Sequence, residues 1–168
     1  EDGRHWKPAV SDLAVHVASV LPICRQFDIT FAIENHFCYG AEDVAQVIAS
    51  VGDAHVAASC DTGNTIARLE GWREALDLLA PHAVSLHLKD LVAERRGVGF
   101  YVVGRPLGKG VIDMRQVIDV VRAAGRDPDV VLELWMDFAT DEATTLQQED
   151  AWVRESLDYA RTLLSVHQ

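Results

Sequence analysis

The chain has 168 residues, 49% hydrophobic and 24% charged, with 15 basic and 26 acidic side chains and a formal net charge of −11. That length fits about one ordinary domain, and the composition is that of a soluble protein with a real core. No apolar run approaches the roughly 20 residues that span a bilayer, and the acidic balance opposes nucleic acid and anionic membrane surfaces.

The first residues, EDGRHWKP, do not resemble a signal peptide, and the missing initiator Met leaves room for an upstream segment. From Pro8 to about Phe27, the apolar residues Leu13, Val17, Val20, Leu21 and Cys24 recur at helical spacing. Asp28–Glu34 reads as a strand, Ala41–Val51 as a helix closed by Gly52, and Ala54–Cys60 as a second strand. Trp72–Ala80 reads as a helix stopped by Pro81, and Ala83–Leu88 as a third strand. Val92–Val111 is Gly-rich, with a short hairpin expected around Phe100–Val103. Asp113 is placed to cap a helix over Met114–Ala124 that Gly125 ends. Val130–Trp135 reads as the last strand. A long helix over about Thr145–Ser165 follows, with Leu146, Trp152, Leu157, Ala160 and Leu164 inward.

Strands alternating with helices imply an α/β fold with a parallel sheet buried on both faces. Four of the strands end on a polar residue that can ligate a metal: Glu34 in ITFAIENH, Asp61 in VAASCDTGN, His87 in AVSLHLKD and Glu133 in VVLELW. Catalytic groups taken from the carboxyl ends of several strands are the signature of a parallel (β/α) barrel of TIM type. A complete barrel takes typically about 250 residues, so this chain supplies roughly half of one. Four strands cannot close, and an open half exposes its edges. A missing N-terminal half, two chains completing one barrel, or a smaller open sheet would each resolve this.

Two glutamates, an aspartate and a histidine form an oxygen/nitrogen set suited to one divalent ion: Mn²⁺, Mg²⁺, Co²⁺ or Zn²⁺. Each residue also has a plainer use. Glu34 could pair with a barrel Lys or Arg, Asp61 could cap the DTG turn, and His87 could be a satisfied core histidine. Glu133 lies in an apolar run, where a buried carboxylate needs a partner and a metal is the simplest one. If the four point inward, strand alternation puts Ala32, Ser59, Ser85 and Val131 beneath them and His36, Gly63, Lys89 and Trp135 at the mouth. Cys60 then faces away from Asp61. Cys24, Cys38 and Cys60 form no close pair and predict reduced thiols in a cytoplasmic protein. His5, His16, His55, His82 and His167 form no constellation.

The ENH, DTGN, HLKD and ELW segments, taken in this order with the later PLGKGVIDM, resemble the sugar phosphate isomerase/epimerase superfamily of xylose isomerase-like TIM barrels. The resemblance covers nearly the whole chain and corresponds to the family's C-terminal half, its last four strand–helix units, so residues 1–168 are expected to be a single domain of that kind. It implies that Glu34, Asp61, His87 and Glu133 hold one divalent metal, and that Glu34 and Glu133 are the catalytic acid/base pair on opposite faces of a hydroxy-ketone. Asn64, Lys89, His36, Arg105 and Trp135 are then candidates to bind substrate, Arg105 from a mobile loop. Asn64 stands where many family members place a histidine. It can hydrogen-bond a hydroxyl but cannot transfer protons.

The implied function is a metal-dependent isomerase or epimerase in carbohydrate metabolism, acting on a sugar or polyol-ketone through an enediolate. A lyase of inosose dehydratase or keto-sugar β-eliminase type is the near alternative, because the same enediolate can expel a β-leaving group. A three-zinc repair endonuclease needs more strand-end histidines than this chain has, and its DNA substrate conflicts with the acidic balance. The reading from another class is a non-catalytic half-barrel assembly subunit. A homo-oligomer or an added N-terminal half is the partner expected for an incomplete barrel.

Overall fold

The computed structural model describes residues 8–165, so His5 and His167 lie outside the described residues. Helix α1 (Val10–Phe27) leads into β1 (Phe31–Glu34), α2 (Ala41–Val51), β2 (Val56–Asp61) and α3 (Trp72–Leu79). Strand β3 (Ala83–Leu88) comes next, then an antiparallel hairpin of β4 (Asp90–Arg96) and β5 (Gly99–Arg105). Helix α4 (Met114–Ala123), β6 (Asp129–Leu132) and α5 (Glu142–Leu164) complete the fold. The main sheet runs β1-β2-β3-β6 with every pair parallel, the arrangement that helical crossovers between strands produce. The chain therefore builds four strand–helix units of a parallel barrel.

Local chemistry sets most boundaries. Val17, Leu21 and Cys24 bury one face of α1 at i, i+4 and i+7, and Asp28 closes the helix in the left-handed region at φ 52°. That conformation takes Asp28 out of the strand expected to begin there, and β1 starts only at Phe31. Gly52, at φ 60°, ends α2 as expected. The second strand begins at Val56 rather than Ala54, because Ala54 and His55 form a turn in which Val56 N donates to the Asp53 carbonyl at 3.0 Å. Pro81 stops α3, and the chain passes through a short 3-10 turn, Ala80–His82, before β3. Asp113 Oδ1 accepts from Gln116 N at 3.0 Å at the start of α4, and Asp141 Oδ1 accepts from Thr144 N at 2.8 Å at the start of α5.

The core lies between the sheet and its helices. Val44, Val47, Leu79, Leu86, Leu88 and Val117 are each at most 1% exposed, and each buried side chain of this kind contributes about 1.5–3 kcal/mol. Val56, Ala58 and Cys60 of β2 face this layer, so Cys60 does point away from Asp61. Burial pushes the Cys60 thiol up to about 12.

Three expectations change. The hairpin is longer than foreseen: two seven-residue strands turn at Gly97 and Val98, and Phe100–Val103 is only part of the second. The last strand stops at Leu132, short of Trp135, and Glu133 N donates to the Leu88 carbonyl at 3.1 Å just beyond it. Leu146 and Leu157 are 57% and 38% exposed rather than inward. The buried residues of α5 are Ser156, Ala160 and Leu163; Ser156 Oγ accepts from Leu107 N and the Leu163 carbonyl from Arg115 Nη1, each at 3.0 Å.

Candidate metal centre

The four strand-end groups converge. Glu34 is the last residue of β1, Asp61 the last of β2, His87 the next to last of β3, and Glu133 directly follows β6. One ligating atom from each lies within 4.8 Å of the others. Bonds of roughly 2.1 Å to a central ion put opposite donors about 4.2 Å apart, so only a small closure is needed for all four to bind one cation.

Asp61 is the most tightly built member. Its side chain is 0% exposed, and Oδ1 accepts from Gly63 N at 2.8 Å and Asn64 N at 2.7 Å. Its backbone is clamped by Asn35, whose Oδ1 accepts from Asp61 N at 2.8 Å and whose Nδ2 donates to the Asp61 carbonyl at 2.9 Å. Asp61 Oδ2 is buried with no hydrogen bond, although Lys89 Nζ lies 3.0 Å away as an ion-pair partner. Burial raises the Asp61 carboxyl, and Lys89 pulls it partly back down.

His87 presents Nδ1 to all three carboxylates, at 3.1 Å from Glu133 Oε2, 3.7 Å from Glu34 Oε1 and 3.9 Å from Asp61 Oδ2. Nε2 meets Ser59 Oγ at 3.3 Å. A neutral ring that donates through Nε2 to Ser59 leaves the Nδ1 lone pair aimed at the cluster, as a metal ligand requires. The Asp61 oxygen without a hydrogen bond, the oriented ring and the carboxylate-rich donor set all fit a divalent cation.

Lys89 takes a position that strand alternation did not foresee. Rather than standing at a solvated mouth, it is 1% exposed. Nζ contacts Glu133 Oε1 at 2.5 Å and Asp61 Oδ2 at 3.0 Å, and donates to Asn64 Oδ1 at 3.0 Å. Its ammonium also sits 4.2 Å from the centre of the Trp135 ring. Gly63 makes room for the lysine stem, since a Cβ there would stand 2.7 Å from Lys89 Cδ. Partial burial raises Glu133, but the hydrogen bond and charge of Lys89 outweigh it and hold this carboxyl below the ordinary range.

Asn64 is also buried, and its Nδ2 donates to Glu34 Oε1 at 2.9 Å and to the Asn35 carbonyl at 3.2 Å. It thus links Glu34 to Lys89. His36 is exposed and lies against Phe37 with ring centres 4.3 Å apart and the rings tilted by 38°, and Phe37 meets Trp135 edge-on at 5.5 Å. These rings form an aromatic wall beside the lysine. Arg105 is not brought to the cluster: its guanidinium pairs with Glu94 and donates to the Gly104 carbonyl within the hairpin.

Sequence reasoning overlooked three supporting residues. Besides Asn35, Thr62 Oγ1 accepts from Lys89 N at 2.9 Å and donates to the Lys89 carbonyl at 2.8 Å. Asp90 is 1% exposed and takes backbone N–H groups from Gly108 at 2.9 Å and Gly110 at 2.8 Å through Oδ2. All three adjoin a predicted ligand or Lys89 in the same short segments. A polar residue beside a strand-end ligand was the available signal.

Both the sequence and the fold have known relatives. The chain is 30% identical over 158 residues to a 3-oxo-isoapionate decarboxylase of Pectobacterium atrosepticum, matching 93% of this chain and 58% of the relative. Its fold matches a xylose isomerase domain protein from Planctomyces limnophilus at TM-score 0.73, with 19% identity over 91% of this chain and 53% of that one. It also matches a D-psicose 3-epimerase from Clostridium cellulolyticum H10, solved with D-tagatose, at TM-score 0.69 and 15% identity, over 92% of this chain and 56% of that one. The chain thus spans little more than half the length of the proteins it matches. Residues 3–163 match the sequence model of the xylose isomerase-like TIM barrel, and the chain belongs to that family.

Proposed function

We propose that the chain is one domain, the C-terminal half of a (β/α) barrel, and carries the metal site of an enzyme that acts on a sugar or related hydroxy-ketone through an enediolate. The observation that carries this reading is the convergence of Glu34, Asp61, His87 and Glu133 within 4.8 Å at the ends of four neighbouring strands. A divalent ion held there, such as Mn²⁺, Mg²⁺, Co²⁺ or Zn²⁺, would supply positive charge beside the two oxygens of an enediolate.

In the isomerase or epimerase reading, Glu34 and Glu133 work as an acid/base pair. One takes the proton from the carbon next to the carbonyl, and the other returns a proton at the opposite face. Glu34 is 32% exposed and so reachable by substrate, while its Oε1 is fixed by Asn64 Nδ2. Trp135 and Phe37 would flank the substrate, and the buried Asn64, committed to Glu34 and Lys89, would hold those two groups in place.

A lyase reading that includes decarboxylation is favoured by the 30% identical relative, which is named a decarboxylase. In decarboxylation the C–C bond breaks, its electron pair stays behind as the enediolate, CO₂ leaves, and one proton closes the sequence. Glu34, which has no lysine or arginine partner among the described residues, would return that proton.

Incubating the metal-loaded protein with hydroxy-ketones and keto acids in D₂O separates these cases. Deuterium gained with the carbon skeleton and formula otherwise conserved means isomerisation, and loss of water or CO₂ means the lyase reading. Neither change in a protein shown to hold metal would contradict both.

A further inference from the structure

We propose that Lys89 is a positioning residue that limits Glu133 to one ligating oxygen, and so keeps room on the bound metal for both oxygens of a hydroxy-ketone. This deepens the metal-site reading above and rests on it. Glu133 is divided between two neighbours: Oε1 meets Lys89 Nζ at 2.5 Å, while Oε2 faces the cluster, 3.1 Å from His87 Nδ1. Asp61 is divided in the same way, with Oδ1 held by the N–H groups of Gly63 and Asn64 and Oδ2 left to the cluster. For Asp61 the backbone enforces the division. For Glu133 a single side chain does.

That side chain is itself held in place. Lys89 is 1% exposed, and its main chain exchanges hydrogen bonds with Thr62 Oγ1 at 2.9 and 2.8 Å. Its stem runs against Gly63, where a Cβ would stand 2.7 Å from Lys89 Cδ. Nζ also donates to Asn64 Oδ1 at 3.0 Å and lies 4.2 Å from the centre of the Trp135 ring. A divalent ion and the ammonium can share the site, because beside a neutral His87 the three carboxylates balance the charge of both.

Glu133 is the ligand that calls for such a restraint. It stands just past the end of β6 with its side chain 35% exposed, and a carboxylate free to turn can ligate through both oxygens. Octahedral ions such as Mn²⁺ and Mg²⁺ offer about six positions, so four side chains giving one atom each leave about two. A hydroxy-ketone bound through both of its oxygens fills them, and the enediolate formed from it keeps both under the metal's charge. A Glu133 that gave two oxygens would leave about one position and admit the substrate by a single oxygen.

Water-proton relaxation of the intact, Mn²⁺-loaded protein counts the exchangeable waters on the ion and tests this without any turnover. About two are expected in the native chain and about one in Lys89→Met, where the freed Glu133 oxygen displaces a water. The double variant Lys89→Met, Glu133→Gln should return the count to about two, because an amide offers a metal its oxygen alone. A merely structural lysine predicts no such return. An unchanged count in Lys89→Met, or a count that stays at about one in the double variant, overturns the proposal. Should Lys89→Met fail to fold, a native count of about one overturns it as well, since Glu133 then gives both oxygens with Lys89 in place. Each of these results with Mn²⁺ bound defeats the role of Lys89 alone, whereas a native protein that binds no Mn²⁺ defeats the metal site and this proposal with it.

Discussion

The two central strands and the two outer strands contribute to the site in different ways. Every residue of β2 is buried, and its ligand Asp61 is sealed from solvent and hydrogen-bonded in place. Strand β3 adds His87, oriented by Ser59, and the buried Lys89 just past its end. By contrast, β1 and β6 are only partly covered, with Phe31 and Val131 40% and 43% exposed. Their carboxylates, Glu34 and Glu133, are 32% and 35% exposed. The centre of the sheet holds the framework of the site, and its flanks hold the groups with freedom to meet a substrate. Among the described residues neither β1 nor β6 has a strand on its outer side, so the flanks also respond most to whatever completes the barrel.

Substitutions at the centre should therefore cost stability, and substitutions at the flanks should cost chemistry. The largest effect is expected from Asp61→Ala, which strips Lys89 of a buried partner and leaves two N–H groups without their acceptor. Breaking such a buried pair costs about 3–5 kcal/mol, and urea denaturation of the variant against the native protein measures it. Asn35→Ala should come next at about 1–3 kcal/mol, because it unpairs the backbone of Asp61. A cost below about 0.5 kcal/mol at either position would break the contrast. Glu34→Gln sits on the other side of it. Stability should shift by no more than about 0.5 kcal/mol, while deuterium exchange or product formation falls by about 10²-fold or more.

The smallest effect concerns pH, far from the site. Asp141 is held below its ordinary value by the backbone N–H of Thr144, then by the Thr144 and Thr140 hydroxyls. A carboxyl lowered in the folded state stabilises the fold above its unfolded value, and that gain is lost as pH falls through the folded one. Melting curves taken between roughly pH 5 and 2 should lose stability more gently in Asp141→Asn, where the cap cannot titrate. Identical acid limbs in the two proteins would remove Asp141 from the account.

The framework was more legible in the sequence than the side chains that tune it. Glu34, Asp61, His87 and Glu133 could be read because each interrupts an apolar run at its end, a pattern that period-2 alternation and strand–helix order make visible. Lys89 was placed at the mouth because strand alternation continued two residues past His87 puts it there. Its burial depends on Gly63, Asn64 and Trp135, which come together only in three dimensions. The hairpin was half-read: it was expected around Phe100–Val103, whereas its turn at Gly97 and Val98 and the pairing of Asp90–Arg96 with Gly99–Arg105 are a tertiary outcome. Arg105 was expected to reach over the site from a mobile loop, yet it closes a hairpin strand and pairs with Glu94. Leu146 and Leu157 fit the inward face of an amphipathic helix. They are exposed because burial needs a facing layer as well as a pattern, and no such layer stands over them among the described residues.

The central claim is that four strand-end side chains form one metal site. Metal content of the purified protein after loading, measured by inductively coupled plasma mass spectrometry beside His87→Ala, tests it most directly. About one equivalent in the native chain, lost in a variant that remains folded, is the predicted result. A folded native protein that takes up no metal, or a His87→Ala protein that retains a full equivalent, would contradict the account.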